Sequence, residues 1–512
     1  MQRLRKVLPS LAVKHHKLLK SHIRNQLRCL STIDHPPGAV ERSTFSIPQG
    51  TFGQATCHTH PHLIQQGHLT CGITQKEYAE RRETLISRLV SEAPNVHKTH
   101  IVVIPAARKQ FMSDKIPYVF RQNSDFFYLT GCLEPSAILV MIKPAHSDTF
   151  KSVLFVHEKD SHAELWEGPR TGCTAATQLF AVDEARPVDS FSVYINKLAV
   201  SSKPSVLWYH NEAPANPEIH STIRSVIRPE TQVTLADPQR TLHFMRVIKS
   251  PAEVELMKEV CYIGSQSVNT AMACTKPGIS EHAVCSVLEH SGRVSGAEHS
   301  SFPAVVAGAA RAAHIHYVAN NQLLNHGDLL LVDSGCQRWL YNSDISRTWP
   351  VSGLFTRHQR ILYELVLAVQ KRLIEILGEH RPALDQLFDS MCRLLGTQLQ
   401  QEGILPKNID GHELISMAYS LCPHHVSHHL GLDVHDAPLV RRATPVLTNM
   451  IVTVEPGIYI RTDDTRVPEE FRGLGIRIED DVLITDGDPL VLTDSCAKEV
   501  QDIEAIVGKQ AY

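Results

Sequence analysis

Acidic residues are absent from the first 33 positions of this 512-residue chain. Arg3, Arg5, Lys6, Lys14, Lys17, Lys20, Arg24 and Arg28 stand there among Leu4, Leu8, Leu11, Leu18, Leu19, Ile23 and Leu27 at roughly helical spacing. An uninterrupted apolar core of the secretory kind is missing as well, which leaves a mitochondrial presequence, or else a solvated basic tail or nucleic-acid arm, as the readings. No apolar run anywhere approaches the roughly 20 residues of a membrane-spanning helix, so no membrane span is expected. The 12 cysteines are scattered singly from Cys29 to Cys496, without a C-x-x-C pair. That excludes a disulfide scaffold and a thiolate zinc site, and implies reduced thiols. Internal repeats and low-complexity segments are also lacking. A basic surplus is missing from the body: net charge is -3, and without the eight leader cations 43 basic residues face 54 acidic ones, about -11. Nucleic acid is therefore not expected as the main partner.

What is present is enough apolar content, 43%, for two cores. Residues 1–31 read as the transit peptide, and 32–60, with Pro36, Pro37, Gly38, Pro48 and Gly50, as a linker. Residues 61–243 read as an α/β domain. QKEYAERRETLISRLVSEA (75–93) sets Tyr78, Leu85, Ile86, Leu89 and Val90 on one helical face, and HIVVIPA, DFFYLTG, SAILVMIKP, KSVLFVHE and SVLWYH are short strand-like runs. Residues 244–512 read as an α+β domain that opens with a capping box, Ser250-Pro251 and Glu253. Helices are expected over 251–274, 280–294, 355–378 and 384–403, with strands between and after them to 485.

The residues with chemistry lie in this second part. DLLLVDSGCQRWLYNSDISRTWPV (328–351) ends an apolar run at Asp333 and interrupts a second at Asp344, after a turn at Gly335. A carboxylate in a buried strand costs several kcal/mol unless paired, hydrogen-bonded or metal-bound; a lone one is most often a satisfied turn residue. NMIVTVEPGIYI sets Glu455 against a Pro-Gly turn, and GLGIRIEDDVLIT places Glu479 inside an apolar run. Period-two alternation puts Arg477, Glu479 and Asp481 on one face and Asp480 on the other, with the Asp480-Asp481 pair expected to open to solvent. HHVSHHLGLDVHD (424–436) adds five histidines, but no glutamate follows His424, as an H-E-x-x-H zinc helix would require. Four acids brought within a few ångströms would repel one another, and two divalent cations would cancel that charge. Mostly oxygen ligands with one imidazole favour a hard ion such as Mn2+.

The ordered set HYVANN (316–321), DSG with SDISRT, HVSHHLGLDVHD, TVEPGIYI and GIRIEDD closely resembles the pita-bread metallopeptidases: aminopeptidase P, prolidase and methionine aminopeptidase. The first part, with IPYVFRQNSDFFYLTGCLEPSAILVM and ELWEGPRTG, is similar to the N-terminal domain of the first two. The resemblance implies a C-terminal pita-bread catalytic domain preceded by a smaller α/β domain, two divalent metal ions per chain, most simply Mn2+, and a homodimer. It implies that Asp333, Asp344, His428, Glu455 and Glu479 are the metal ligands, with Asp344 and Glu479 bridging. His316, His424 and His435 would line the substrate pocket without binding metal, His435 aiding the oxyanion and His424 the proton for the leaving nitrogen. Tyr459 and Arg477 match positions near the site and are expected, with His316 and His435, to bind substrate, while His425 and His429 fall where the family tolerates other residues.

The implied activity is removal of the first residue from peptide or protein N-termini with proline second, through attack by a hydroxide shared between the two ions. A bond before proline has no donor N–H and a fixed φ, and such an attack does not need that N–H. A prolidase acting on Xaa-Pro dipeptides and a metal-free binding module are the other readings. The leader implies a mitochondrial site, the matrix, with a cytosolic pool also considered. Arg28-Cys29-Leu30-Ser31 suggests cleavage after Cys29 followed by trimming of Leu30.

Overall fold

Six short runs between residues 99 and 236 pair into one mixed sheet whose central runs are buried on both faces, as a sheet covered on both sides requires, while the runs at its two edges are only half-buried. They are β1 (Thr99–Pro105), β2 (Ile138–Lys143), β3 (Lys151–Val156), β4 (Glu184–Pro187), β5 (Ser205–Trp208) and β6 (Val233–Ala236), in the order β6-β5-β1-β2-β3-β4. The pairs β6/β5, β5/β1 and β3/β4 are parallel, while β1/β2 and β2/β3 are antiparallel. The computed structural model describes residues 45–93, 97–212 and 214–509. The leader and its tetrapeptide therefore lie outside the described residues. Helix α1 (Gln75–Glu92) buries Tyr78, Leu85, Ile86 and Leu89, as its spacing predicts. The part of the linker that is described, 45–60, has no helix or strand, yet Phe52 and Cys57 are buried and Gln54 bonds the backbone of Gly131 and Leu133.

DFFYLTG is not a strand but helix α2 (Ser124–Thr130). Asn123 caps it by accepting from the Phe126 N–H at 2.9 Å, and Gly131 ends it at φ 64°. A Cβ on Gly131 would also lie 2.7 Å from the Tyr78 ring. All seven residues are buried, so a short run of this kind has no polar face to reveal its period.

Helix α3 (Gln239–Arg246) leads to α4 (Pro251–Cys274), whose Ser250/Glu253 capping box forms as expected. Helices α5 (Glu281–Val294), α6 (Arg357–His380) and α7 (Leu384–Gln401) match the predicted patterns, while α8 (Gly411–Leu421) went unpredicted. Strands β7 (Val305–Gly308), β8 (Leu329–Ser334) and β9 (Ile345–Pro350) form an antiparallel sheet in that order. Strand β10 (Ile451–Val454) pairs with β13 (Asp480–Leu483), and β11 (Gly457–Tyr459) with β12 (Gly475–Arg477), all antiparallel. Helices and antiparallel strands thus make this part α+β. The sheets bring the ends of β8, β10 and β12 and the start of β9 together around one cleft.

Candidate active site

Register decides which acids meet. In the β8/β9 ladder Asp333 faces Ser346, and Glu479 N donates to Ser346 O at 3.0 Å, which carries the 477–481 segment alongside. The chain between β8 and β9 reverses at Trp339–Leu340 and not at Gly335 as expected; Gly335 lies in the arm leading out of β8, where a Cβ would be 1.8 Å from Ser343 O, so only glycine fits. On the other side, the segment holding His428 runs beside β10, with Thr453 N donating to His428 O and Glu455 N to Val426 O, both at 2.9 Å. Backbone pairing, not sequence proximity, therefore sets His428 beside Glu455.

Asp333, Asp344, His428, Glu455 and Glu479 all line one open cleft of about 670 Å³, together with His316, His424, His435 and Arg477. Ligand atoms of Asp344, His428 and Glu479 lie within 4.8 Å of one another. His428 Nε2 is 3.4 Å from Asp344 Oδ2 and 3.7 Å from Glu455 Oε1. Its Nδ1 lies 3.1 Å from His429 O, so the Nδ1–H donates to that carbonyl and an Nε2 lone pair is left facing the carboxylates.

Arg477, 2% exposed, sets its guanidinium directly against the cluster. It donates at 2.7 Å to Asp333 Oδ2, to Tyr459 Oη and to Ser346 Oγ, and Ser346 Oγ donates to Glu479 Oε2 at 2.6 Å. Tyr459 does not reach the cleft; it stands behind His424, 2.8 Å from its Nε2. His316 sits on a loop whose two ends share one carboxylate. Buried Glu281 accepts from Gly308 N, Arg311 Nε, Tyr317 Oη and Gln322 N.

The Asp480-Asp481 pair does not open to solvent; both residues are fully buried. Asp480 points away from the cleft, as alternation predicts, into a pocket made by Arg347, Lys498, Gln370 and Thr493. Asp481 points with Glu479 and accepts from Asp344 N at 3.0 Å and from the Cys261 thiol. It is a fifth acid of the cluster. The shared face with Glu479 was the signal that could have marked it.

Charge is out of balance here. Burial, then the neighbouring carboxylates, holds Asp344 and Glu479 well above the usual carboxylate range. Burial likewise raises Glu455 to about 6 and Asp481 to about 7. His424 is pushed down to about 4 by burial and by Arg477, and burial lowers His435 too. Buried Oδ1 atoms of Asp333 and Asp481 find no hydrogen-bond partner among the described residues. Unpartnered acceptors, raised carboxylates and a pre-set imidazole lone pair form a donor set suited to divalent cations. A cleft built this way can acidify water and hold a carbonyl between cation and imidazole.

Residues 255–486 match the model of metallopeptidase family M24, and residues 78–208 that of the aminopeptidase P N-terminal domain. The chain is 39% identical to human Xaa-Pro aminopeptidase 3 over 90% of its length and 92% of the relative. It is 34% identical to the mitochondrial intermediate cleaving peptidase 55 of Arabidopsis thaliana, over 92% and 91%. Zinc-substituted Escherichia coli aminopeptidase P, solved with product, superposes at a TM-score of 0.77 with 32% identity, over 85% of this chain and 98% of that one. The C-terminal part accordingly has the pita-bread fold.

Proposed function

The chain belongs to metallopeptidase family M24, and from that premise we propose how its own residues carry out the removal of an N-terminal residue that precedes proline. It is a hydrolase of the aminopeptidase class that works with divalent metal ions. The observation that carries the reading is the buried acid cluster, in which the carboxylates outnumber the Arg477 guanidinium set against them and His428 Nε2 faces them.

We assign Asp333, Asp344, His428, Glu455 and Glu479 as the residues that would hold two divalent ions, and so oxygen-rich a set would suit Mn2+. Bound there, the ions supply the positive charge that acidifies a water and polarises the scissile carbonyl. Arg477 holds Asp333 in place from behind and keeps Tyr459 against His424. His435 and His316 face the cleft and are assigned to the substrate carbonyls, His435 to the oxyanion. His424 has its ring nitrogens on Tyr459 Oη and His425 O. That pair fixes the ring at the wall of the cleft, where His424 is assigned to assist the proton that reaches the leaving nitrogen.

The boundary at 243/244 falls between the two family matches, and we place the smaller α/β domain at 61–243 and the catalytic domain at 244–512. A homodimer is the proposed assembly, supported by the exposed Phe111, Met112, Ile116, Tyr118 and Val119. The protein is placed in the mitochondrion, and we assign it to the matrix, where trimming of newly imported proteins follows from the same chemistry. Among the described residues no helix is long and apolar enough to cross a membrane.

The test is to strip the metal and supply a Leu-Pro-Ala peptide and a Leu-Pro dipeptide, each with and without Mn2+. Manganese-dependent release of leucine from the tripeptide is expected. Cleavage of the dipeptide alone would replace this reading with a prolidase, and cleavage of neither would leave a binding module.

A further inference from the structure

His435 stands in the segment 431–439, which has no regular secondary structure beyond turns and bends. Such a segment does not hold a side chain by backbone pairing alone. What fixes it are the two aspartates on either side of His435. Asp433 Oδ2 accepts from Arg246 at 2.6 Å, and Asp436 Oδ1 accepts from the same guanidinium nitrogen. Asp436 Oδ2 also accepts from Lys249 Nζ at 3.0 Å. A Cβ on Gly431 would lie 2.5 Å from Asp436 Oδ2 and 2.8 Å from Lys249 Nζ, so glycine is what leaves room for the pair.

The other end of the same guanidinium belongs to the first domain. Arg246 Nη1 donates to Asp125 Oδ1 at 2.7 Å, and Gln239 Nε2 steadies Asp125 Oδ2 at 2.7 Å. Ser124 Oγ and Arg121 Nη2 reach across to Asp433 Oδ1 at 2.7 and 3.0 Å, and Arg121 Nη2 also donates to Leu432 O at 2.6 Å. Arg246, Lys249 and Asp436 are almost fully buried, whereas Arg121 and Asp433 are partly exposed. His435, between the two anchors, has its ring centroid 4.5 Å from that of His428. A shift of this segment would move both the oxyanion donor and its neighbour in the metal shell.

We infer that Arg246 is a positioning residue for His435, and that through Asp125 it makes the first domain part of the catalytic apparatus rather than a cover for it. The inference rests on the assignment of His435 to the reacting carbonyl. A planar guanidinium with three carboxylates around it fixes distances in a way a single ammonium cannot. Misplacing a catalytic group by about 1 Å costs on the order of a hundredfold in rate.

The experiment compares Arg246→Met, Asp125→Asn, His435→Ala and the double variant Arg246→Met/His435→Ala in the manganese-loaded full chain, on an Xaa-Pro tripeptide. Arg246→Met is expected to lower kcat by roughly ten- to a hundredfold with KM changed less. Two metal ions per chain should be retained by elemental analysis. The double variant should be no slower than His435→Ala alone, and Arg246→Lys should restore part of the loss. Asp125→Asn, nearly the same shape, covers the case in which Arg246→Met does not fold, with an expected loss of about threefold to tenfold. Arg81→Met removes a different buried contact between the same domains, to Glu253 at 3.3 Å. It should lower the melting temperature while leaving kcat within about twofold. Full kcat in Asp125→Asn and Arg246→Met, or losses that multiply in the double variant, would overturn the inference. Full kcat in His435→Ala would instead overturn the assignment on which it rests.

Discussion

Glu479 and Asp480 are adjacent, both are fully buried carboxylates, and their fates are opposite. Asp480 finds Arg347 at 2.6 Å, Lys498, Gln370 at 2.7 Å and Thr493 at 2.8 Å, and the two cations among them, Arg347 and Lys498, hold its carboxyl below the usual range against the cost of burial. Glu479 faces Asp344, Glu455 and Asp333, and its carboxyl is held well above that range. One strand thus separates two solutions to the same problem. On one face the chain supplies the compensating cations itself; on the other it sets several carboxylates against the Arg477 guanidinium and leaves the remaining positive charge to come from solution. Buried charge compensated within the chain is structural, and buried charge left uncompensated marks the binding site.

The sharpest way to break this comparison is to remove one charge from each face. Glu479→Gln is expected to abolish turnover, by more than about a thousandfold, while the metal-free protein melts no lower than the metal-free parent, since a repulsive charge has gone. Arg347→Met leaves Asp480 buried with fewer cations and should cost roughly 3–5 kcal/mol of stability. Calorimetry of both metal-free variants checks this. A large destabilisation by Glu479→Gln would show that its carboxylate is structural after all.

Removing the metal sharpens the same contrast. An ion that binds only the folded chain stabilises it by about 2.7 kcal/mol at a hundred times its dissociation constant. Chelation should therefore lower the melting temperature of the parent and leave that of Glu479→Gln unchanged. An equal shift in both would remove the acid cluster from the account of metal binding.

Titration separates the two faces by sign. Burial raises Glu455 to about 6 and Asp481 to about 7, so the folded metal-free chain binds protons that the unfolded chain releases near 4. That contribution to stability is complete below about 4 and lost as pH rises to about 7. Asp480 works the other way: its depressed carboxyl contributes stability above about 4 that is lost as pH falls through its folded value. Added Mn2+ must displace the protons from the cluster, so its affinity should climb between about pH 4 and 7. The buried histidines of the cleft, lowered from their usual value, act with the opposite sign, so the check is a difference. In denaturant melts of the metal-free parent and of Asp481→Asn, the stability of the parent relative to the variant should fall as pH rises from about 4 to 7, and a difference that stays constant or grows would contradict the raised carboxyl.

Much of this was legible in the sequence, because carboxylates inside apolar runs demand a reason and Asp333, Asp344, Glu455 and Glu479 all sit in such runs. The errors share one cause. The Asp480-Asp481 pair reads as solvent-facing because its partner Arg347 is 133 residues away, and no local pattern announces it. DFFYLTG reads as a strand because a run buried on every side carries no period. Tyr459 and Arg477 are recognisable by their motifs, but that Tyr459 stands behind His424 instead of in the cleft depends on the β11/β12 register.

The smallest effect tests the finest distinction, among histidines of one motif. His425 and His428 both have Nδ1 near a backbone carbonyl, Ser427 O at 3.0 Å and His429 O at 3.1 Å, and both line the cleft. They differ in what Nε2 meets. For His428 it is a set of buried carboxylates; for His425 it is Asp385 Oδ1 at 3.3 Å, on a side chain 57% exposed, with the ring stacked on Phe388 at 5.0 Å. A half-exposed pair of that kind is worth about 0.5–1 kcal/mol. His425→Asn should therefore cost no more than that in stability, keep both metal ions, and hold kcat/KM within about threefold, whereas His428→Ala should lose turnover altogether. If His425→Asn lost metal as His428→Ala does, the direction of Nε2 would not be what separates a ligand from a bystander in this motif.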